Sequence, residues 1–121
     1  MTIQKSGILW VSLFIFLYAT NGIEAQGKDI SLQIMLANKS YYEKDYKTAA
    51  EIFENLIAQG QSNGYLYYNL GNTYMRLGKT GYAILNYLRA KELLPRNENL
   101  DANLRYAISR TVDQLNPPQM G

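Results

Sequence analysis

The side chains that enzymes use most often for nucleophilic and acid–base chemistry are scarce in this sequence. It contains no cysteine and no histidine, which removes thiol nucleophiles, disulfides, histidine proton relays and the commonest zinc ligand sets. The carboxylates that remain sit at predicted turns or on predicted exposed helix faces, and they include Glu43, Asp45, Glu51, Glu54 and Glu92. Neither a phosphate-binding glycine loop nor a metal-ligand spacing occurs. We therefore expect no catalysis, no cofactor and no metal.

Tyrosine is the residue type that stands out. There are 11 tyrosines, and all but Tyr18 lie between Tyr41 and Tyr106. A tyrosine joins a large apolar ring to a polar hydroxyl, which suits both helix packing and a binding surface. The formal net charge is only +2, and apart from Lys5 the basic residues are scattered between Lys28 and Arg110, so we expect no nucleic-acid partner. The 121 residues suffice for one small domain.

Residues 1–25 have the plan of a signal peptide. After a positively charged start, residues 7–19 are uncharged and largely apolar, and Ile23 and Ala25 take the −3 and −1 positions of a cleavage site. The apolar run of about 14 residues is shorter than the roughly 20 that cross a bilayer as a helix. We therefore predict an exported protein, periplasmic or associated with the cell envelope. An uncleaved N-terminal tether is the alternative.

The rest of the sequence has the apolar periodicity of packed helices. One helical face is formed by Tyr67, Leu70, Gly71, Tyr74 and Leu77. Matching faces before and after it consist of Ala49, Ala50, Phe53 and Leu56, and of Ala83, Ile84, Tyr87, Ala90 and Leu94. The small residues Gly71, Ala83 and Ala90 let neighbouring helices approach closely, and the large residues Phe53, Tyr74 and Tyr87 fill the spaces beside them. The pattern predicts an all-α fold.

Turn-forming residues separate these predicted helices. Asp29 can cap the first helix. Residues 43–45 and 78–80 have the composition of tight turns, and the glycine-rich residues 60–64 form a longer link. Pro95 ends the helix before it, because proline lacks a backbone donor and clashes with the preceding turn.

A final helix is predicted from about residue 98 to residue 115. Its apolar face consists of Leu100, Leu104, Ala107, Ile108, Val112 and Leu115. The face predicted to meet solvent carries Asn103, Arg105, Arg110 and Asp113. We interpret this helix as a cap over the apolar face of the helix before it, and residues 116–121 as a tail.

The same pattern recurs with a gapless offset of 34 residues. The matched positions are Leu36 with Leu70 and Leu104, Asn38 with Asn72, Ala49 with Ala83, and Phe53 with Tyr87. The second copy reads Tyr67-x2-Leu70-Gly71-x2-Tyr74, then Ala83-x3-Tyr87, Ala90 and Pro95, and it resembles the tetratricopeptide-repeat (TPR) consensus. The resemblance implies that residues 26–115 form a right-handed TPR-type helical solenoid. It would contain two helix-turn-helix repeats, at about 30–63 and 64–97, and the C-terminal capping helix, at about 98–115.

A second resemblance concerns the last helix. Residues 103–107 (Asn-Leu-Arg-Tyr-Ala) and 111–113 (Thr-Val-Asp) look like a segment that follows the repeats in Bat-type aerotolerance TPR proteins. Those proteins also share the order of signal sequence, short repeat array and this helix. The resemblance implies a place in an aerotolerance or envelope-stress complex, with a membrane-complex partner.

In TPR proteins the first helices of the repeats line a concave groove that binds a peptide or protein segment. Carried onto this sequence, the resemblance places the partner-binding groove at Asn38, Tyr41, Tyr42, Tyr65, Tyr68, Asn69, Asn72, Arg76, Asn103, Tyr106 and Arg110. Asparagine amides can pair with a peptide backbone, and tyrosines give contact area at low entropic cost. We expect Tyr68 and Asn72 to face away from the core. Packing between helices is the alternative role for each residue.

Two alternatives bear on the partner. Chaperone-binding TPR proteins grip a C-terminal carboxylate with a clamp that Asn38 and Asn69 match. The cation positions of that clamp hold Ile34, Asn99 and Asn103 here, so we reject this type of recognition. The alternative function is a self-associating or scaffold domain that docks on downstream membrane sequence, because fewer than three full repeats are marginally stable alone.

Overall fold

The computed structural model describes residues 26–115, and every regular element in that range is a helix. The helices are α1 (residues 26–42 of the described range), α2 (Tyr46–Ala58), α3 (Gly64–Arg76), α4 (Thr80–Leu93) and α5 (Glu98–Leu115). The predicted all-α fold is therefore confirmed. The predicted signal peptide, 1–25, and tail, 116–121, lie outside the described residues. Contacts divide the chain into two units, Met1–Leu32 and Gln33–Gly121.

The turns between helices have the chemistry that their residues predict. Lys44 and Gly78 both adopt a left-handed backbone, with φ of 65° and 74°, and Gly78 comes 34 positions after Lys44. The bond from Asp45 N to Ser40 O, at 2.9 Å, recurs as the bond from Lys79 N to Tyr74 O, also at 2.9 Å. The turn after α1 and the turn after α3 thus share one geometry at an offset of 34 residues.

Polar side chains cap three helices. Asp45 Oδ1 accepts a hydrogen bond from Thr48 N at 3.2 Å, and hydrogen bonds from Thr48 lower the pKa of the Asp45 carboxyl. Asn63 and Asn97 cap α3 and α5 in the same way, at 2.9 and 3.0 Å. Asp29 is not a cap, contrary to expectation, because α1 is already helical at residue 26.

From α2 onward, consecutive helices pack against each other, and α3 contacts α2, α4 and α5. A buried cluster joins α4 to α5 and consists of Ala83, Tyr87, Ala90, Leu100 and Ala107. Gly71 lies against the ring of Tyr87, so closely that a Cβ at this position would lie 2.6 Å from two ring carbons. The absence of a side chain at Gly71 therefore sets the distance between α3 and α4.

Burial differs from the sequence pattern at two places, the repeat position Leu36 and the predicted apolar face of α5. Leu36 is 43% exposed, and the neighbouring Ala37 is fully buried instead. On α5 the first half of the predicted face is buried, but Ile108 and Val112 are 45% and 50% exposed. The buried residues of α5 are Leu100 and Ala107, so its packed face ends about halfway along the helix. No helix within residues 26–115 combines the length and the hydropathy that a membrane span requires.

Candidate functional site

A cavity of about 350 Å³ lies among α1, α2 and α3. We call it the asparagine cavity, and it is lined by Asn38, Tyr41, Tyr42, Phe53, Tyr68, Asn69 and Asn72. Six of these seven residues belong to the groove that the sequence predicted. Phe53 was missed, because its place in an apolar helix face marks it only as a core residue. The volume is at the lower end of the range typical of ligand sites.

Four asparagines form two matching hydrogen-bonded pairs between the helices that line the site. Asn69 Nδ2 donates to Asn38 Oδ1 at 3.5 Å, which joins α3 to α1. Asn103 Nδ2 donates to Asn72 Oδ1 at 2.9 Å, which joins α5 to α3. Each member of the second pair comes 34 positions after its counterpart in the first. We call these four residues the asparagine ladder.

The second pair of the ladder is tied to the core by tyrosine hydroxyls. The Tyr87 hydroxyl donates to Asn72 Oδ1 at 2.7 Å, and its ring is only 1% exposed. Asn103 Nδ2 also lies 3.1 Å from the Tyr68 hydroxyl, whose ring centroid is 6.1 Å from that of Tyr87. Burial raises the pKa of the Tyr87 hydroxyl well above its usual value, so this group stays a neutral donor.

These contacts correct two expectations. Tyr68 and Asn72 do not simply face away from the core, because each is half-buried and in contact with the buried Tyr87. Asn103 is half-buried as well and points to α3, not to solvent. The physical cause is the Tyr87 hydroxyl, which needs an acceptor once its ring is buried. Asn72 and Asn103 therefore support the site structurally.

Within residues 33–115, three side-chain amide groups of the asparagine ladder make no hydrogen bond. Asn69 Oδ1 and Asn38 Nδ2 have no hydrogen-bond partner among residues 33–115, and neither does Asn72 Nδ2. All three groups belong to residues that line the cavity. One acceptor and two donors are thus available, which is the combination that pairs with the N–H and C=O groups of an extended peptide.

Aromatic side chains form one edge of the cavity. The Tyr41 ring packs edge-on against Tyr42 and Tyr46, with centroids 6.0 and 5.3 Å apart. The guanidinium carbon of Arg76 lies 5.1 Å from the Tyr46 ring centroid, a cation–π contact. Burial raises the pKa of the Tyr41 hydroxyl, although the positive charge of Arg76 opposes that rise. Tyr42 is 82% exposed, so its ring is free to cover a bound chain.

The other predicted groove residues lie apart from this cavity. Tyr65 lines a separate depression near the end of α4, together with Leu93, Leu94, Pro95, Arg96 and Asn97. It lies there because α3 approaches the end of α4 at Gly64, where a Cβ would lie 2.6 Å from Leu94 Cγ. On α5, Tyr106 is 58% exposed and Arg110 is exposed. Neither lines the asparagine cavity.

Two carboxylates of the described range have side-chain partners on other helices. Glu54 accepts a hydrogen bond from the Tyr74 hydroxyl, and Asp101 pairs with Lys91. The pKa of Tyr74 is raised to about 12, mainly because the residue is partly buried and secondly because its hydroxyl is bonded to Glu54. No group of three or more acidic side chains within residues 26–115 could hold a metal ion.

The sequence matches no family model and no curated protein against which it was compared. The arrangement of side chains itself supports a defined chemistry. It offers amide donors, an amide acceptor and aromatic rings, with the Arg76 cation nearby on the Tyr46 ring. Such groups can bind a ligand through hydrogen bonds and aromatic contacts.

Proposed function

We propose that this chain is a non-catalytic binding module of the TPR type. In this proposal α1, α3 and α5 line the concave side of a right-handed helical solenoid, with α1–α2 and α3–α4 as its two repeats and α5 as its cap. The groove holds a peptide segment of a protein partner. No nucleic acid, cofactor or metal takes part.

The recurrence of local geometry at 34 residues supports the repeat architecture. Lys44 and Gly78 make the same left-handed turn, and the Asn38–Asn69 pair is followed at that offset by Asn72–Asn103. Buried small residues recur as well, since Ala49 and Ala83 are both fully buried. Such agreement between sequence offset and contacts is expected of stacked helix pairs.

The asparagine cavity is the observation that carries the proposed binding function. Its unpaired amide groups on Asn38, Asn69 and Asn72 offer backbone-type hydrogen bonds. The exposed ring of Tyr42 adds contact area at low entropic cost. An extended peptide can use both, because its backbone polar groups alternate with its side chains.

The cellular setting of this proposal rests on sequence features. The plan of residues 1–25 supports export to the periplasm or envelope. The resemblance of residues 103–107 and 111–113 to Bat-type aerotolerance proteins supports a membrane-complex partner. An envelope-stress complex is thus the proposed context.

A self-associating scaffold is the second candidate function, and one observation favours it. Leu85, Leu88, Ile108 and Val112 are each between 44% and 50% exposed, which is more apolar surface than a binding module needs outside its groove. Sedimentation of the full chain across a wide dilution range separates the candidates. A constant monomer mass excludes the scaffold, whereas a dimer that dissociates on dilution supports it.

Site-specific photocrosslinking tests the binding proposal. A photoreactive phenylalanine replaces Tyr42 at the cavity in one variant and Tyr82 on α4 in the control, since Tyr82 is 59% exposed and lies outside the cavity. After irradiation in the native envelope, mass spectrometry identifies the linked peptide. We expect a partner peptide linked at position 42 and not at position 82, and we expect Asn69→Ala to reduce it. Equal labelling at both positions contradicts the proposal.

A further inference from the structure

Arg76 is a cation near the asparagine cavity, which it does not itself line, and no acidic side chain within residues 33–115 pairs with it. It is the last residue of α3, and its side chain is exposed to solvent. The ion pairs within that range are Lys39–Glu43 and Lys91–Asp101, so Arg76 takes part in neither. Its observed contact is with an aromatic ring, not with a carboxylate.

The ring under Arg76 connects it to the cavity wall. Its guanidinium carbon lies 5.1 Å from the Tyr46 centroid, and that ring packs at 5.3 Å against Tyr41, which lines the cavity. The charge of Arg76 also acts on the Tyr41 hydroxyl, where it opposes the rise in pKa that burial causes. The positive potential of Arg76 therefore reaches the place where a ligand would lie.

The cavity itself contributes no charge. Its lining consists of three asparagines, three tyrosines and Phe53, and Arg76 is the charged residue whose potential acts on the Tyr41 hydroxyl in that lining. A guanidinium packed on an aromatic ring keeps the N–H groups along its edge available. Those groups match the two oxygens of a carboxylate in a bidentate pair.

We infer that the segment held in the asparagine cavity carries a carboxylate that pairs with Arg76 beside Tyr41 and Tyr46. This inference rests on the proposed binding function and specifies its partner as an acidic peptide. It makes Arg76 a determinant of specificity, whereas the asparagines, which bind the backbone, accept any sequence. The carboxylate can belong to an acidic side chain or to a chain terminus.

A displayed library of random dodecapeptides tests the inference. It is selected in parallel on the full wild-type chain, on Arg76→Gln and on a cavity control that combines Tyr42→Ala with Asn69→Ala. We expect peptides that need the intact cavity to be enriched in Asp and Glu on the wild type, and we expect that enrichment to vanish on Arg76→Gln. Gln preserves helix propensity, and circular dichroism checks that the variant is folded.

The outcomes separate the two proposals. If no peptide prefers the wild type over the cavity control, the binding function fails and the acidic partner fails with it. If cavity-dependent peptides emerge without acidic enrichment, or if the enrichment survives in Arg76→Gln, only the inference about Arg76 is overturned.

Fluorescence anisotropy with one selected peptide then measures the pair itself. Replacing its acid by the matching amide should weaken binding to the wild type about fivefold, the size expected for a pair that remains partly solvated. Arg76→Gln should bind both peptides equally, and equal weakening in both proteins overturns the inference. The same peptide with an amidated C-terminus shows where the carboxylate lies. If the wild type still binds it more tightly than Arg76→Gln does, the carboxylate belongs to a side chain. If that difference in affinity disappears, the carboxylate belongs to the C-terminus.

Discussion

Replacing Gly71 by alanine tests the packing that holds α3 against α4. The added Cβ would lie 2.6 Å from two carbons of the Tyr87 ring and 3.2 Å from a third. That ring is 1% exposed, and its hydroxyl is bonded to Asn72, so it cannot swing away without losing a buried hydrogen bond. Overpacking of this kind costs up to about 3 kcal/mol. Alanine recovers about 1 kcal/mol through helix propensity, which leaves a net destabilisation of about 2 kcal/mol.

The matched control is Gly81→Ala on α4. Its added Cβ meets no atom within 4 Å, so only the propensity gain remains, and we expect stabilisation of up to about 1 kcal/mol. Urea denaturation of the full chains, followed by circular dichroism, measures both changes. For a domain of this size, Gly71→Ala should lower the Tm by roughly 8–16 °C. A Gly71→Ala protein as stable as wild type would refute the packing argument, since no clash would then exist.

Three further predictions concern single side chains. Asn72→Ala should cost about 1–3 kcal/mol in urea denaturation, because it leaves the buried Tyr87 hydroxyl without its acceptor. Asn69→Ala loses only the 3.5 Å bond, so its free energy of unfolding should stay within about 0.5 kcal/mol of wild type. Equal destabilisation by Asn72→Ala and Asn69→Ala would contradict the structural role of Asn72. The pKa of Tyr74 is raised to about 12, so its contribution to stability is complete below pH 10 and is lost between about pH 10 and 12. Tyr74→Phe should therefore reduce the fall in Tm over that pH range. A Tm–pH profile identical to that of the wild type would exclude the effect. Asn86 Oδ1 is buried and has no hydrogen-bond partner in the described part of the chain, so Asn86→Leu should raise stability by about 1 kcal/mol, and a loss in calorimetry would show that the amide has a role.

Much of the helical layout follows from local sequence chemistry. The tight turn before α2 needs a residue that tolerates a left-handed backbone and then a cap, and Asp45 supplies the cap. Gly78 and Pro95 end α3 and α4 for equally local reasons. The close approach at Gly71 could also be predicted, because a glycine in the apolar face of a helix leaves room for a large side chain of the neighbouring helix.

The polar contacts of the site could not be predicted in the same way. Whether Asn72 and Asn103 face a partner or the core depends on the Tyr87 hydroxyl, which reaches them from another helix. The positions of the Tyr65 and Phe53 side chains depend on where neighbouring helices cross. Tyr65 therefore lies in a separate depression, and Phe53 lines the asparagine cavity. Spacing along one helix carries no information about such crossings.

The exposed second half of α5 shows a related limit. Periodicity marks Ile108 and Val112 as apolar-face residues, but periodicity does not say how much of a helix its neighbour covers. Both are about half exposed, because the packed face of α5 ends about halfway along the helix. Burial is therefore predictable for α3, which has neighbours on several sides, and poorly predictable for a terminal helix.

Side-chain amide NMR tests the central claim, a peptide held in the asparagine cavity, most directly. In asparagine-labelled full-length protein, titration with a peptide selected on the wild type should shift the side-chain NH2 signals of Asn38, Asn69 and Asn72. The signals of Asn55 and Asn99, which are exposed outside the cavity, should stay unchanged. Shifts at Asn55 or Asn99 with silence at Asn38 and Asn69 would contradict the account, because the peptide would then lie outside the cavity.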